Sequence, residues 1–271
     1  MFKLIHNLYD SIELNLGIKR VFFRNKFVWF FKKNWPYYRC LFETKAIYPI
    51  YELLGRYFYK RIVDHYGADY YWDNQKSQNL DKKHFNLGYG YIHYAMVRSQ
   101  RPRRVLCIGS MYGFIPYMLA RACMENKRGH VDFVDASYDI NNPKHKGIHN
   151  YGQGFWKKTE IGKHFSYLLS NKYISTYVMT SESFAKKYKR KYDYICLDGD
   201  HTYKGARKDF RLFWPKLNKE GFLCFHDIHF REVSKGIHFE YWKIWDELKK
   251  KYKFKFELSN HYSGLGFIQK I

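Results

Sequence analysis

The sequence has few cysteines and no apolar run long enough to cross a membrane. The longest apolar run near its start covers only residues 27–31, whereas a membrane-spanning helix needs about 20 residues. Polar residues interrupt residues 1–15, so no secretory signal peptide is predicted. The five cysteines include no Cys-x-x-Cys pair. We therefore expect a cytoplasmic protein with reduced, buried cysteines rather than a disulfide framework or a zinc site.

Acidic residues are scarce as well. The chain has 25 Asp and Glu against 48 Lys and Arg, which gives a formal net charge of +23. Such a charge attracts anionic partners, for example a membrane surface, nucleic acid or an acidic glycan. An AT-rich genome would also enrich Lys, Tyr, Phe and Asn, so a purely compositional origin is the alternative. The hydrophobic fraction of 46% excludes a disordered chain and favours a globular one.

The first part of the chain is especially basic. Residues 1–40 contain eight Lys and Arg against two Asp and Glu, and residues 18–33 mix bulky aromatics with cations. Such a segment suits peripheral contact with an anionic membrane, here the inner membrane surface, or packing of a helix on the main domain. We predict a basic, aromatic-rich helical extension over residues 1–88 and a single main domain over residues 89–271.

Strand-like and helix-like segments alternate through the main domain. A helix is expected at 89–100 and another at 237–251, and the expected strands are 104–109, 130–135, 174–179, 192–198, 221–227, 254–258 and 266–269. This alternation predicts an α/β fold. We expect a Rossmann-like, seven-stranded, mostly parallel sheet with helices on both faces and a C-terminal antiparallel hairpin.

Glycines and an acid follow the first two predicted strands. Gly109 ends the first strand, and Gly113 comes just before a helix-like segment, so the backbone there can approach a ligand closely. Asp135 ends the second strand 22 residues after Gly113, at the spacing of an acid that binds ribose hydroxyls. The chain lacks the third glycine of a dinucleotide site and the Gly-Lys-Ser/Thr of a P-loop. This combination predicts a nucleoside cofactor without a diphosphate, such as S-adenosylmethionine.

Polar clusters follow two later strands. Residues 198–201 read Asp-Gly-Asp-His, and His226 and Asp227 follow the next strand. Open α/β sheets hold their ligands at the carboxyl ends of their strands, so these side chains are candidate site residues.

With these motifs in this order, the stretch from Arg104 to Ile271 resembles class I S-adenosylmethionine-dependent methyltransferases. It is similar to the branch with an Asp-Gly-Asp-His-x-Tyr motif and a following His-Asp pair, which includes sugar O-methyltransferases. The resemblance implies an enzyme of glycan biosynthesis that methylates a hydroxyl group of a sugar or glycan.

The resemblance also implies catalytic roles. Asp198 would bind a divalent metal such as Mg²⁺, Asp200 would be the general base, and His201 would be a neighbouring acid, base or orienting group. Asp227 would complete the metal site. Metal-dependent relatives tend to carry two adjacent carboxyl or amide residues where this chain has His226 and Asp227. The alternative is therefore a metal-free site in which His226 is the base.

The expected cofactor contacts come from four strand ends. The methionine portion of S-adenosylmethionine would face the glycine turn, the ribose would face Asp135, and the adenine would lie near the end of the third strand. The predicted contact residues are Gly109, Ser110, Gly113, Asp135, Ser181, Glu182 and Asp198.

Two other functions compete with sugar O-methylation. The first is a nucleic-acid methyltransferase that uses the basic surface, although the chain has no Asn/Asp-Pro-Pro-aromatic motif and no Pro-Cys nucleophile. The second is a non-catalytic binding protein that retains the methyltransferase fold.

Overall fold

The computed structural model describes most of the main domain. The described residues are 87–110, 113–138, 142–145, 154–158, 165, 171–231, 233–234, 237–259 and 263–271. Residues 18–33 and nearly all of the predicted extension lie outside them. The helical extension, its membrane contact and the domain boundary after residue 88 therefore stay predictions.

A seven-stranded sheet forms the centre of the domain. Its strand order is β3-β2-β1-β4-β5-β9-β8, and a separate two-stranded pair consists of β6 and β7. Strands β1 to β5 run parallel, and β9 is antiparallel to both β5 and β8. The strands are β1 (Arg104–Ile108), β2 (His130–Asp135), β3 (Ile174–Val178), β4 (Tyr192–Leu197), β5 (Leu217–His226), β6 (Val233–Ser234), β7 (Ile237–His238), β8 (Lys255–Leu258) and β9 (Leu265–Gln269). The predicted sheet and its C-terminal hairpin are confirmed.

Helices cover both faces of this sheet. The helices are α1 (Tyr89–Gln100), α2 (Phe114–Glu125), α3 (Phe155–Lys158), α4 (Ser181–Lys187), α5 (Tyr203–Phe213) and α6 (Tyr241–Lys251). Helices α1 and α2 share one hydrophobic core with alternate strand residues such as Val105, whereas α4, α5 and α6 share the other with residues such as Leu106. Residues 105–108 are all buried because both faces of β1 are covered. Among the described helices, none has the length and apolar character needed to cross a membrane.

The strand order reverses between β1 and β4, and this reversal positions the site. Chain crossovers leave the sheet in opposite directions there, so a crevice opens beyond the carboxyl ends of the two strands. The Asp198 amide donates to the Ile108 carbonyl at 2.8 Å, which holds the two ends together. Gly109 has φ +72°, and a Cβ atom there would lie 2.2 Å from the Asp198 carbonyl oxygen. Only glycine fits this position.

Two element boundaries differ from the sequence prediction. The last helix begins at Tyr241 rather than at residue 237, because residues 237–238 pair with 233–234 as an antiparallel ladder. Strand β5 begins at Leu217, four residues before the predicted start, and Leu217 pairs with Tyr192 of β4. The pairing of β4 with β5 is irregular there, because β4 advances from Tyr192 to Tyr194 while β5 advances from Leu217 to Phe222.

Candidate active site

The glycine turn joins β1 to α2, as predicted. The Gly109 amide donates to the Val134 carbonyl of β2 at 2.8 Å, and the Gly113 amide donates to the Ser110 carbonyl at 2.7 Å. Gly113 has φ +91° and precedes the first residue of α2. A Cβ atom on Gly113 would lie 2.9 Å from ring atoms of Phe165 and Trp156. The aromatic rings therefore leave no room for a side chain at Gly113. The turn also brings the N-terminus of α2 next to the end of β2.

Asp135 lies beside this turn. Its Oδ1 accepts a hydrogen bond from the Ser137 amide at 2.7 Å. Burial raises the pKa of Asp135 to about 6, although backbone hydrogen bonds from Ser137 and Ser110 act in the opposite direction. The structure thus brings the predicted ribose acid next to Ser110 of the glycine turn.

Ser181 and Glu182, the residues predicted near the adenine, lie at the start of α4 and interact with α5. Ser181 Oγ donates to Asp209 Oδ1 at 2.6 Å, and Glu182 forms an exposed ion pair with Lys208 at 3.2 Å. Burial raises the pKa of Asp209 to about 6. These contacts connect α4 to α5. The contact of Ser181 and Glu182 with the adenine stays a prediction.

Four side chains meet at the ends of β4 and β5, and we name them the Asp-His cluster: Asp198, His201, His226 and Asp227. His201 Nε2 lies 3.0 Å from Asp227 Oδ2 and 3.4 Å from Asp198 Oδ1. His226 Nδ1 lies 3.0 Å from Asp227 Oδ1 and 3.5 Å from Asp198 Oδ1. Each histidine therefore interacts with both carboxylates, and two adjacent strand ends form one compact site.

Mutual charge stabilisation dominates the electrostatics of the Asp-His cluster. Burial alone would lower the pKa of both histidines, but the two carboxylates outweigh it and raise the pKa to about 10 for His201 and about 9 for His226. Burial opposes ionisation of Asp227 too, yet the histidines hold its pKa well below the usual range. For Asp198 burial prevails, and its pKa is raised. At neutral pH and without a bound cation, both histidines are therefore protonated and Asp227 is ionised.

Asp200, the predicted general base, lies outside the Asp-His cluster, and its catalytic role stays a prediction. Its Oδ1 accepts hydrogen bonds from the Thr202 amide at 3.0 Å and from Thr202 Oγ1 at 2.8 Å. Thr202 Oγ1 in turn accepts from the Gly205 amide and caps α5. A Cβ atom on Gly205 would lie 2.1 Å from Asp200 Cγ, so the carboxylate packs tightly against the first turn of α5. Asp200 therefore holds Thr202, the N-cap residue of α5, in place.

The Asp-His cluster fits a divalent cation. Ligand atoms of Asp198, His201 and Asp227 all lie within 4.8 Å of one another. Asp227 Oδ1 is buried and faces His226 Nδ1 at 3.0 Å. Asp227 also adopts φ +58°, a strained conformation for a residue other than glycine. Two carboxylates suit Mg²⁺, and the added imidazole widens the choice to Mn²⁺ and other transition metals.

Aromatic rings that the sequence analysis did not single out surround His201. The rings of Phe239 and Tyr241 lie 5.0 Å and 4.8 Å from the His201 ring, centroid to centroid. The Tyr241 hydroxyl accepts a hydrogen bond from the Gly199 amide at 2.9 Å and so fixes the turn before His201. Tyr89 meets the His226 ring edge-on at 5.9 Å. Sequence alone gave no signal for these residues, because they lie far from the motif in the chain.

The region that contains this site is similar to a known protein family. A family described as "Methyltransferase domain" matches residues 106–228, which include the glycine turn and the Asp-His cluster. An uncharacterized protein, y4gI, of Sinorhizobium fredii is 25% identical over 166 residues, 60% of this chain, and the match spans only 17% of that protein's length.

Two solved structures share the fold. One is a candidate O-methyltransferase from Klebsiella pneumoniae, with 10% identity and a TM-score of 0.50 over 74% of this chain and 89% of that chain. The other is a candidate caffeoyl-CoA O-methyltransferase from Staphylococcus aureus, with 12% identity and a TM-score of 0.50 over 80% of this chain and 99% of that chain. The fold is thus that of the class I methyltransferases. Residues 106–228 are therefore similar to a methyltransferase domain.

Proposed function

We propose that the protein methylates a hydroxyl group of a sugar or glycan, with S-adenosylmethionine as the methyl donor. The observation that supports this most strongly is the Asp-His cluster, which lies at the strand-order reversal together with the glycine turn. The cofactor supplies an electrophilic methyl group, so the protein has to orient the acceptor, exclude water and accept a proton. The glycine turn follows β1, the predicted ribose acid ends β2, and the proposed proton acceptor follows β4, and these three strands are neighbours in the sheet.

We propose His201 as the residue that accepts the hydroxyl proton, in the neutral form that a cation bound to Asp198 and Asp227 would favour. Its side chain retains 13% exposure, against 1% for that of His226, so an acceptor molecule can reach it more readily. Asp227 and Asp198 hold the ring in place and would stabilise the imidazolium that forms. Asp200 is engaged by Thr202 and is less suited to this task.

We further propose that Asp198 and Asp227 bind a divalent cation, with Mg²⁺ as the first candidate. The ligand atoms of Asp198, His201 and Asp227 lie within 4.8 Å of one another, which supports this assignment. Such an ion would polarise the acceptor hydroxyl and lower its pKa. His201 lies within hydrogen-bond distance of Asp227. A cation bound to the carboxylates would therefore lower the pKa of His201 and favour the neutral imidazole, which can accept a proton.

Aromatic side chains near the Asp-His cluster support a ring-shaped acceptor. Phe230 and Phe239 pack edge-to-face at 4.3 Å, and the Arg231 guanidinium lies 4.6 Å from the centre of the Trp242 ring. Sugar rings pack well on aromatic faces, and an arginine can pair with an acidic sugar.

A labelled-cofactor screen tests the function. The full chain is incubated with methyl-labelled S-adenosylmethionine, Mg²⁺ and panels of sugars, glycans, RNA and phenols, and products are identified by mass spectrometry and NMR. We expect label on a sugar oxygen. Label on RNA, with binding that weakens steeply as salt rises, would establish the nucleic-acid alternative. Cofactor binding without transfer to any acceptor would favour the non-catalytic alternative.

A further inference from the structure

Three cysteines lie side by side across the centre of the sheet. Cys107 of β1 is in register with Cys196 of β4, and Cys196 is in register with Cys224 of β5. Parallel neighbours in register point their side chains to the same face, about 4.8 Å apart. All three are fully buried, on the face covered by α1 and α2. The fold therefore gathers three thiols that are far apart in the sequence.

Helix α1 places a histidine over this row. His93 is fully buried, and its Nδ1 lies 2.7 Å from the Tyr194 hydroxyl. Its Nε2 is buried too, and among the described residues it has no hydrogen-bond partner. Burial lowers the pKa of His93, which keeps the imidazole neutral. A buried ring nitrogen without a partner is costly and calls for an explanation.

The distances fit coordination of one ion. A ring nitrogen of His93 and the sulfurs of Cys196 and Cys224 all lie within 4.8 Å of one another. Zinc bonds of about 2.3 Å to sulfur and about 2.0 Å to nitrogen require ligand separations of about 3.5–4 Å. Small side-chain movements would close this difference. Cys107, beside Cys196 in the sheet, is the nearest candidate for a fourth ligand.

We propose that His93, Cys196 and Cys224 bind a zinc ion inside the core of the domain, with Cys107 next to the fourth position. Binding forms two zinc–sulfur bonds and one zinc–nitrogen bond, and the two thiols release two protons to solvent. Two thiolates then neutralise the charge of Zn²⁺, which suits a buried site. The hydrogen bond between His93 Nδ1 and Tyr194 is the outer-shell contact that ligating histidines commonly have.

Such an ion would link α1 to the two strands that end at the Asp-His cluster. Cys196 precedes Asp198 by two residues, and Cys224 precedes His226 by two. The ion would therefore stabilise the strand ends without contacting a substrate. This site does not depend on the proposed methyl transfer, since its ligands are sulfur and imidazole rather than carboxylate.

Cobalt substitution of the full chain tests the proposal. The protein is produced in medium with cobalt in place of zinc, so that the ion is incorporated during folding, and its absorption spectrum is recorded. Sulfur-to-cobalt charge transfer in the near ultraviolet reports thiolate ligands only, so metal at the Asp-His cluster does not contribute to it. We expect this band, together with about one zinc per chain in protein from standard medium.

Matched variants locate the ligands. Cys196→Ser, Cys224→Ser and His93→Gln should each reduce the band at least several-fold, whereas Cys123→Ser, which alters a buried cysteine of α2, should leave it unchanged. Asp227→Asn should also leave it unchanged. If a ligand variant fails to fold, the wild-type spectrum still decides. A wild-type spectrum without thiolate bands, or bands equally strong in Cys196→Ser and Cys224→Ser, would overturn the proposal.

Discussion

His201 and Asp227 lie 26 residues apart in the chain, and His201 Nε2 is 3.0 Å from Asp227 Oδ2. The contact exists because β4 and β5 are parallel neighbours that end at the same edge of the sheet. It joins the proposed proton acceptor to a proposed metal ligand. Changes at either residue should therefore affect the other, and double-mutant cycles would show non-additive effects on turnover.

Asp135→Ala should weaken binding of S-adenosylmethionine by roughly 1.5–3 kcal/mol, the scale of hydrogen bonds to a charged acceptor. The reason is that the Asp135 carboxylate lies beside the glycine turn at the position of a ribose acid. Isothermal titration calorimetry measures the affinity. Asp246→Ala, which removes an exposed ion pair with Lys249 on α6, is the control and should change it little. Equal affinity of Asp135→Ala and wild type would rule out Asp135 as the ribose acid.

Cofactor affinity should fall as the pH drops through 6. Burial raises the pKa of Asp135 to about 6, so its acceptor carboxylate is present above that pH and lost below it. If only the ionised form binds the ribose, affinity at pH 5 should be about tenfold weaker than at high pH. Calorimetry at several pH values measures this, and Asp135→Asn should show a flatter profile. If wild type and Asp135→Asn showed the same pH dependence of affinity, Asp135 would not be the ribose acid.

Divalent metal should be needed for full turnover but not for cofactor binding. Chelation should lower kcat, and added Mg²⁺ or Mn²⁺ should restore it, because Asp198 and Asp227 would hold the ion next to the acceptor. Asp198→Asn should raise the metal concentration required for half-maximal activity. A chelator-treated enzyme that keeps full activity would contradict the metal assignment and, with it, the neutral form of His201 that proton transfer requires.

The basic segment 18–33 should draw the protein to anionic membranes. Its cations and aromatics favour an interface with acidic lipid, and salt should weaken the association. Flotation with vesicles of acidic or neutral lipid compares the full chain with a variant lacking residues 1–40. The full chain should float with acidic vesicles at low salt, and the truncated variant should not. Equal flotation of both would point to packing of the segment on the main domain instead.

Much of the fold was predictable because its signals are local. Helix α1 lies at residues 89–100, where it was predicted, and the buried apolar runs of β1, β2 and β4 mark the parallel strands. The short pair around residues 233–238 was missed, since two-residue strands have no periodic pattern. Asp198 and Asp227 could be found because they follow strand ends.

Side-chain direction and register were not predictable. Asp198 and Asp200 belong to one motif, yet only Asp198 joins the Asp-His cluster, because the turn after it directs Asp200 to Thr202. The alignment of Cys196 with Cys224 depends on strand register, which no spacing rule for nearby cysteines can detect. The role of Tyr241 depends likewise on a contact with Gly199 across the fold.

The most direct test compares single-turnover methyl transfer by wild type, His201→Gln and Asp200→Asn on the acceptor found in the screen. We predict that His201→Gln slows transfer by about 10²–10⁴, the usual effect of losing a general base, with cofactor affinity within a few-fold of wild type. Asp200→Asn should stay within a few-fold in rate, because asparagine can still accept the hydrogen bonds from Thr202. Near-normal transfer by His201→Gln together with a collapse in Asp200→Asn would contradict the account.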